Sequence, residues 1–303
     1  MKTTKLLYLL IILPSFSMAQ NLLSKLDKEY PNKPVFEIAT FKTTRIGLGH
    51  SIETRKQGAL EISLSNRFWN HKEGTTQRFL ADEVSIRFGL DYAITDNFTV
   101  GAGYTNFDKI TDSFLKYKFV RQAKGAKKSP FSIALLQAMS YRNKSLTQAY
   151  DQYGVPYFND HNSNIYNFTT QLLIARKFNT KFSAQLSPIF ITRNNSIFEE
   201  QPKSQYALGF GARYKVGGHV SIVSEYYHVF NPVKTVPTYN PFMIGVNWEL
   251  SHLLLQFQMT NARNYAEDTF ITQTTNNFNF HDGNFHFGFN AIFVLHLSKN
   301  KVN

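Results

Sequence analysis

The chain has 303 residues, a formal net charge of +12 and no cysteine, so disulfides cannot stabilise it. Its mean hydropathy is −0.29, and beyond the N-terminal run no apolar stretch reaches the roughly 20 residues that a membrane-spanning helix needs. These totals exclude a disulfide-rich secreted domain and a bundle of membrane helices. The aromatic content of 15 % favours a membrane β-barrel, which hydropathy scans miss because only every second residue faces lipid.

The N-terminus, MKTTKLLYLLIILPSFSMAQ, predicts a cleaved signal peptide over residues 1–19. Two lysines precede a short apolar core, and Ser17 and Ala19 supply the small residues that signal peptidase reads. Cleavage before Gln20 removes both lysines and lowers the net charge from +12 to +10. We expect an exported basic chain to meet anionic lipid and lipopolysaccharide, and not nucleic acid.

Residues 20–57 precede the first clear strand and alternate only weakly. Pro31 and Pro34 interrupt any extended pairing. Three arrangements fit this N-terminal segment: a plug in or under the barrel lumen, a periplasmic tail, or two further strands that would bring the total to fourteen. We favour a segment held in or beneath the lumen.

From residue 58 onwards the chain alternates with a period of two. From Tyr206 to Val216, every second residue is aromatic or aliphatic, and the positions between them include Arg213, Lys215 and two glycines. Helical periodicity fits none of these segments. We predict twelve strands, each long enough to cross a membrane when tilted. The predicted strands are 58–69, 82–93, 97–107, 111–121, 130–142, 165–178, 181–192, 205–216, 219–230, 241–250, 252–261 and 284–297.

The connections between these strands are sorted by length. Four of the five even-numbered connections have three residues or fewer, whereas five of the six odd-numbered ones have ten or more. Outer-membrane barrels show this asymmetry, with tight periplasmic turns and long external loops. The sequence therefore predicts an all-β protein: a single antiparallel transmembrane β-barrel of about twelve strands over residues 58–298, located in the outer membrane.

Several blocks of the sequence resemble an uncharacterised family of Bacteroidota outer-membrane β-barrels, known only as a domain of unknown function. The most specific blocks are FKTTRIGLGHSIET, IRFGLDYAITDNFTVGAGYTNFDKITDSFLKYKFVRQ and FITQTTNNFNFHDGNFHFGFN. The resemblance spans about residues 40–297. It implies a barrel in the outer membrane, but no known ligand and no catalytic residues. One turn departs from the family pattern, because this chain has ELSHLLLQF where the family has a Gly-Gly-His turn, and a tight turn still fits.

The second face of the alternating strands is expected to line the lumen, and its charges are our candidates for function. The predicted lumen-lining residues are Glu61, Arg67, Arg87, Asp91, Lys116, Lys118, Arg213, Lys215, Glu225 and Glu249. A selective polar pore and a closed network of ion pairs both fit, because twelve strands lie between a filled barrel of about 8 and a porin of roughly 16–18. We expect a passive channel for small polar solutes. The alternative is a non-conducting scaffold that binds a protein or glycan through its long loops or N-terminal segment.

No set of residues predicts catalysis, a cofactor or a metal. His219 and Ser221 share one strand face, which is a spacing compatible with a dyad, but they lie at the tight-turn end and face the lumen. His50 and Glu53 do not complete a recognised set of metal ligands. We expect a protein that is not an enzyme, with membrane lipid, lipopolysaccharide and a small polar solute as its neighbours and no assigned protein partner.

Overall fold

A computed structural model describes residues 34–69, 83–125, 128–142, 164–195, 198, 200–278 and 285–297. Within them, twelve antiparallel strands form one closed barrel, in which the last strand pairs with the first. These strands are β2 (Ala59–Trp69), β3 (Glu83–Thr95), β4 (Phe98–Thr105), β5 (Ile110–Val120), β7 (Ser132–Arg142), β8 (Ile165–Lys177), β9 (Phe182–Arg193), β10 (Ser204–Lys215), β11 (Val220–Val229), β12 (Phe242–Leu250), β13 (Leu253–Thr260) and β14 (His286–His296). The predicted twelve-strand barrel is confirmed. The predicted signal peptide lies outside the described residues.

The outer face of the barrel is apolar. On β3, Phe88, Leu90 and Tyr92 point outward and are exposed, whereas the alternating Arg87 and Asp91 are buried inside. Closure pairs the backbone groups of every strand, as a lipid environment requires. Among the described residues, no helix is long and apolar enough to cross a bilayer. The period-two pattern therefore places an apolar surface outside and polar side chains within.

The two ends of the barrel differ in their connections. At one end, which we call the turn end, residues 96–97, 178–181, 216–219 and 251–252 join neighbouring strands. At the opposite end, which we call the loop end, most connections are longer. The basic connection after β5 also lies at the turn end, and its short strand β6 (Ala123–Lys124) pairs with β1 (Val35–Phe36).

The N-terminal segment enters the barrel from the turn end. Residues 40–53, which we call the hairpin, lie inside the lumen, where Phe41, Ile46, Leu48 and Ile52 are at most 2 % exposed. Neither β1 nor the hairpin joins the twelve-strand sheet. The alternative of fourteen barrel strands is therefore wrong for the described residues, because this segment fills the barrel and does not widen it.

The connection after β13 enters the barrel from the loop end. Residues 262–274, which we call the inner loop, include a short helix, Glu267–Thr272, all of whose residues are buried. The hydroxyl groups of Thr269 and Thr272 donate to the carbonyls of Ala266 and Asp268 at 2.8 and 2.6 Å. This segment was expected as part of an external loop, and the structure instead packs it against the hairpin.

The apolar core of the molecule lies within the lumen. Leu136, Leu173 and Ile191 face inward from β7, β8 and β9, and they join one buried cluster with Ile46 of the hairpin and Phe270 of the inner loop. The lumen therefore has two kinds of wall. Strands β7 to β9 supply much of the apolar wall, and the carboxylates and ammonium groups of β2, β3, β5, β11 and β12 form the charged wall.

Candidate functional site: the occupied lumen

The hairpin turns at residues 46–49. Arg45 and His50 face each other in an antiparallel bridge, and the Ser51 N–H donates to the Thr44 carbonyl at 2.9 Å. Within the described structure, no backbone-to-backbone hydrogen bond joins residues 40–53 to a barrel strand. Side chains of the barrel wall therefore hold the hairpin in place.

Both arms of the hairpin emerge at the turn end. On the returning arm, the Thr54 hydroxyl donates to the Asp96 carbonyl at 2.7 Å, and the Gln57 N–H donates to the Asp96 carboxylate at 2.9 Å. The Gln57 N–H, together with the Lys56 ammonium, lowers the pKa of Asp96. Because both arms share one mouth, the hairpin can leave the lumen without being threaded through the barrel.

Glu225 of β11 binds the tip of the hairpin. Its carboxylate accepts the Leu48 N–H at 2.6 Å, the Gly49 N–H at 3.1 Å and the Tyr227 hydroxyl at 2.7 Å. Glu225 is only 1 % exposed, so these bonds replace the water that a carboxylate otherwise needs. Hydrogen bonds to an ionised acceptor are roughly twice as strong as neutral ones.

Gly49 fits the tip because it has no side chain. A Cβ atom at this position would lie 2.0 Å from the Tyr227 hydroxyl oxygen and 3.1 Å from the ring carbon that carries it. Tyr227 packs edge-on against Phe270, with ring centroids 5.1 Å apart. The ring is therefore held between the hairpin and the inner loop and has little room to move aside.

Lys116 of β5 binds the backbone of both arms. Its fully buried ammonium donates to the carbonyls of Thr44, Ser51 and Glu53 at 2.8, 2.9 and 3.1 Å. An ammonium group can donate three hydrogen bonds, and these three carbonyls accept all three. Lys116 thus clamps the two arms of the hairpin together.

Two glutamines on strands that are four positions apart in the barrel complete the contacts to the backbone. Gln185 Nε2 of β9 donates to the His50 carbonyl at 2.8 Å, and Gln256 Nε2 of β13 donates to the Ile46 carbonyl at 2.6 Å. Together with Lys116 and Glu225, they bind peptide groups of the hairpin from four different strands.

Acidic side chains on β2 and β3 bind the arms. Thr44 Oγ1 lies 2.7 Å from Glu61 Oε1 and 2.6 Å from Asp91 Oδ2. The second Glu61 oxygen accepts from Arg55 Nε at 2.5 Å. The wall therefore recognises a hydroxyl group of the hairpin and the guanidinium group of Arg55, just beyond the hairpin, as well as the hairpin backbone.

Arg45 connects the hairpin to the inner loop. Its Nη1 donates to Glu267 Oε1 at 2.7 Å and to the Leu48 carbonyl at 3.1 Å, and its Nη2 lies 3.9 Å from Asp112. His50 Nε2 lies 3.2 Å from the same Glu267 oxygen. Segments that enter the lumen from opposite ends thus meet at one buried carboxylate.

Two further arginines support the site without contacting the hairpin. Arg87 of β3 forms a two-point ion pair with Asp112 and lies against Gly103, where a Cβ atom would be 2.3 Å from its Nη2. Arg67 of β2 donates to the carbonyls of Ala262 and Asn264 in the inner loop. These contacts fix the charged wall and hold the inner loop in the lumen.

The ten predicted lumen residues have different surroundings. Glu61, Asp91, Lys116, Lys118, Glu225 and Glu249 contact residues 42–55. Arg67 binds the inner loop, and Arg87 binds Asp112. Arg213 donates to Glu249 at 3.1 Å, and Lys215 is half-buried near the turn end.

Sequence reasoning missed some of the residues that hold the hairpin. Asp112 lies in the same inward phase of β5 as Lys116, so alternation was a sufficient signal to find it. Gln185 and Gln256 look like ordinary polar wall positions in the sequence. Glu267 was missed because it lies in a segment expected outside the barrel.

The histidine and serine considered as a dyad are separated in the structure. Ser221 Oγ accepts from Arg213 Nε at 3.2 Å, and His219 is exposed at the turn end. In the part of the chain that the structure describes, no group of three His, Asp or Glu side chains is placed to hold a metal ion.

A cavity of about 420 Å³ opens at the turn end beside the base of the hairpin. Lys42, Arg55, Glu249 and His252 are among the residues that line it. Lys42 pairs with Glu249 at 2.7 Å. The base of the hairpin is thus reachable from this mouth of the barrel.

A closed barrel with an apolar outer face and a lumen that holds the hairpin and the inner loop defines the chain as a membrane β-barrel. Residues 41–295 match the family described as a membrane bound beta barrel domain (DUF5777), and the chain belongs to that family. The resemblance to a β-barrel domain of unknown function is thereby confirmed. No curated protein matches the sequence.

Solved structures of other barrels align with most of the chain at low identity. The KdgM porin is 10 % identical over 78 % of this chain and 99 % of its own, with a TM-score of 0.48. An outer membrane channel from Pseudomonas putida F1 is 12 % identical over 80 % of this chain and 98 % of its own, with a TM-score of 0.46. These similarities are too low to bear on function.

Proposed function

We propose that the protein is an outer-membrane channel for small polar solutes that the hairpin keeps closed and that opens when the hairpin withdraws toward the turn end. In this proposal the turn end faces the periplasm, since barrels of this class place their short turns there. The outer apolar band contacts lipid, with lipopolysaccharide around the loop end. The proposal assigns no catalytic residue.

The observation that carries the proposal is the way in which the hairpin is held. It enters and leaves through one mouth, and side chains alone attach it to the wall. The wall beneath it carries Glu61, Asp91, Lys116 and Glu225. Burying charges in a permanently dry interior is expensive, and apolar residues of similar volume often stabilise a protein as well or better. When the hairpin leaves, water reaches the wall and solvates these charges. Solvation in the open state explains why charged residues occupy these positions.

One feature favours the alternative of a non-conducting scaffold. Ile46 and Ile52 of the hairpin and Phe270 of the inner loop belong to the same buried apolar cluster as inward-facing residues of β7 to β9. Burying each such side chain contributes about 1.5–3 kcal/mol, which opposes withdrawal. A barrel that never opens would then present its N-terminal segment or its outer loops to a partner.

Planar-bilayer recordings distinguish the two functions. We expect rare openings from the full-length protein and steady conductance after deletion of residues 20–57. Resistance of the barrel to heat in detergent must first show that the shortened chain is folded. A folded deletion variant that passes no current would overturn the channel and favour the scaffold.

A further inference from the structure

We propose that the charged wall of the lumen is a binding site for short basic peptides and that the hairpin is its internal occupant. The passage of such a peptide through the barrel rests on the proposed channel function, whereas the binding does not. Three features of the wall support this assignment: its contacts to peptide groups, its charge, and its site for an arginine side chain.

The contacts to peptide groups depend on the occupant's sequence only through the glycines that the turn requires. Lys116 donates to three backbone carbonyls, and Gln185 and Gln256 donate to one carbonyl each. Glu225 accepts from two successive N–H groups. Any peptide that adopts the same turn presents these groups. Most of the hydrogen bonds that hold the hairpin would therefore be available to a separate peptide chain.

The charge of the wall favours a basic occupant. Six carboxylates and two ammonium groups of the barrel and inner loop contact the segment 42–55, and Arg87 and Arg213 pair with two of these carboxylates, which leaves a net formal charge of minus two on this group of side chains. The segment in return contributes three basic side chains and one carboxylate to these contacts. The wall residues are Glu61, Asp91, Asp112, Glu225, Glu249, Glu267, Lys116 and Lys118, with Arg87 and Arg213 beside them, and the segment residues are Lys42, Arg45, Arg55 and Glu53.

The site for an arginine side chain lies where the hairpin meets the inner loop. Arg45 reaches Glu267 with one guanidinium nitrogen at 2.7 Å, and its other terminal nitrogen lies 3.9 Å from Asp112. The flat, forked guanidinium group suits two carboxylates in this arrangement better than a lysine ammonium does. We therefore expect arginine to be preferred at this position of a bound peptide.

The test is a binding measurement on the full chain carrying Gly49→Ala, which displaces the hairpin because its new Cβ would meet the Tyr227 hydroxyl. Fluorescence anisotropy in detergent would follow a labelled peptide, KTTRIGLGHSIE, which copies residues 42–53. We expect this peptide to bind the Gly49→Ala chain saturably. The peptide KTTQIGLGHSIE should bind that chain at least tenfold more weakly. The first peptide should also bind the unsubstituted chain at least tenfold more weakly, because the hairpin occupies the site there. Gly47→Val provides a second displaced variant, because its Cβ would lie 2.0 Å from Met243 Cε, 3.2 Å from Met243 Sδ and 3.0 Å from Gln258 Oε1, and both of these side chains are buried.

Neighbouring carboxylates provide a matched control. Adding Glu267→Gln to the Gly49→Ala chain should weaken the arginine peptide at least tenfold and should weaken the glutamine peptide less, because only the histidine of that peptide contacts residue 267. Adding Asp268→Asn instead should change neither, because Asp268 accepts from Asn167 at 2.6 Å and not from the hairpin.

Three results would overturn the site: no saturable binding to either displaced variant, equal binding of the two peptides, or equal losses from Glu267→Gln and Asp268→Asn. Selective peptide binding by a barrel that passes no current would support the site and count against the channel. The two proposals can therefore fail separately.

Discussion

Replacing Gly49 with alanine should displace the hairpin from the lumen. The added methyl group would lie 2.0 Å from the Tyr227 hydroxyl oxygen, and Phe270 limits the movement of that ring. Overpacking a tight interior costs about 1–3 kcal/mol, and the short contact places this change in the upper half of that range. Because each 1.4 kcal/mol is a factor of ten in an equilibrium constant, we expect the seated hairpin to be disfavoured by roughly 30- to 100-fold.

A double-mutant cycle tests whether this steric contact is the cause. Tyr227→Phe alone removes one hydrogen bond to the Glu225 carboxylate, which costs about 1.5–3 kcal/mol. It also removes the oxygen that the methyl group added at position 49 would strike. The combined Gly49→Ala and Tyr227→Phe variant should therefore resemble Tyr227→Phe alone, and the two effects should not add.

The hairpin position can be measured by thiol labelling, because the chain has no native cysteine. Ser51→Cys is a nearly isosteric reporter whose side chain is fully buried when the hairpin is seated. When opening and closing are fast, the rate of maleimide labelling follows the open population. Heat-resistant migration in detergent would show that the barrel is intact in every variant.

Two outcomes would refute this reasoning. If Gly49→Ala leaves the labelling rate of Ser51→Cys unchanged, the contact with Tyr227 does not hold the tip in place. If the effects of Gly49→Ala and Tyr227→Phe simply add, the clash lies elsewhere and the described packing at the tip is wrong.

Three further predictions concern other parts of the site. Glu267→Gln should accelerate labelling about tenfold, because it weakens a charge-assisted bond to Arg45; an unchanged rate would show that the inner loop does not secure the hairpin. The pKa of Asp96 is lowered, so its stabilising contribution is present above the usual aspartate pKa and is lost as the pH falls through the lowered pKa. With Asp96→Asn, the Ser51→Cys reporter should thus be labelled faster at neutral pH, and its labelling rate should rise less when the pH is lowered. A pH profile identical to that of the chain with Asp96 would contradict this role. Arg87→Met should lower barrel stability in urea by about 3–5 kcal/mol by leaving Asp112 buried without its partner; Arg87→Met combined with Asp112→Leu should recover most of the loss, and failure to recover would argue against this ion pair.

The barrel itself could be predicted from the sequence. Alternation places Tyr206 and Phe210 outward and Arg213 inward on β10, and no other periodicity fits that segment. Each predicted boundary lies within two residues of the observed one, because glycine and polar turn residues end the strands. The inward phase also identified Glu61, Lys116 and other charged wall residues as candidates.

The contents of the lumen were harder to predict, since they depend on contacts between distant residues. Leu48 and Glu225, for example, are 177 positions apart in the chain. The hairpin pairs with itself and meets the barrel through side chains, so it leaves no strand-like pattern. The inner loop is mostly polar in sequence, and contacts with distant residues such as Arg67 and Arg193, which bond to it, explain why it turns inward. Local sequence propensity therefore predicts neither the hairpin nor the inner loop inside the lumen.

The most direct test of hairpin gating is a reversible disulfide between Ile46→Cys and Gly211→Cys. A Cβ atom at Gly211 would lie 3.8 Å from Ile46 Cγ1, so the sulfur of a cysteine at position 46 would lie within reach of a cysteine at position 211. In the reduced state, the shorter side chain at position 46 weakens apolar packing, so single-channel recordings should show openings. Oxidation should silence the same channel, and reduction should restore it. Steady current through the oxidised protein would contradict the account, because the lumen would then conduct with the hairpin in place.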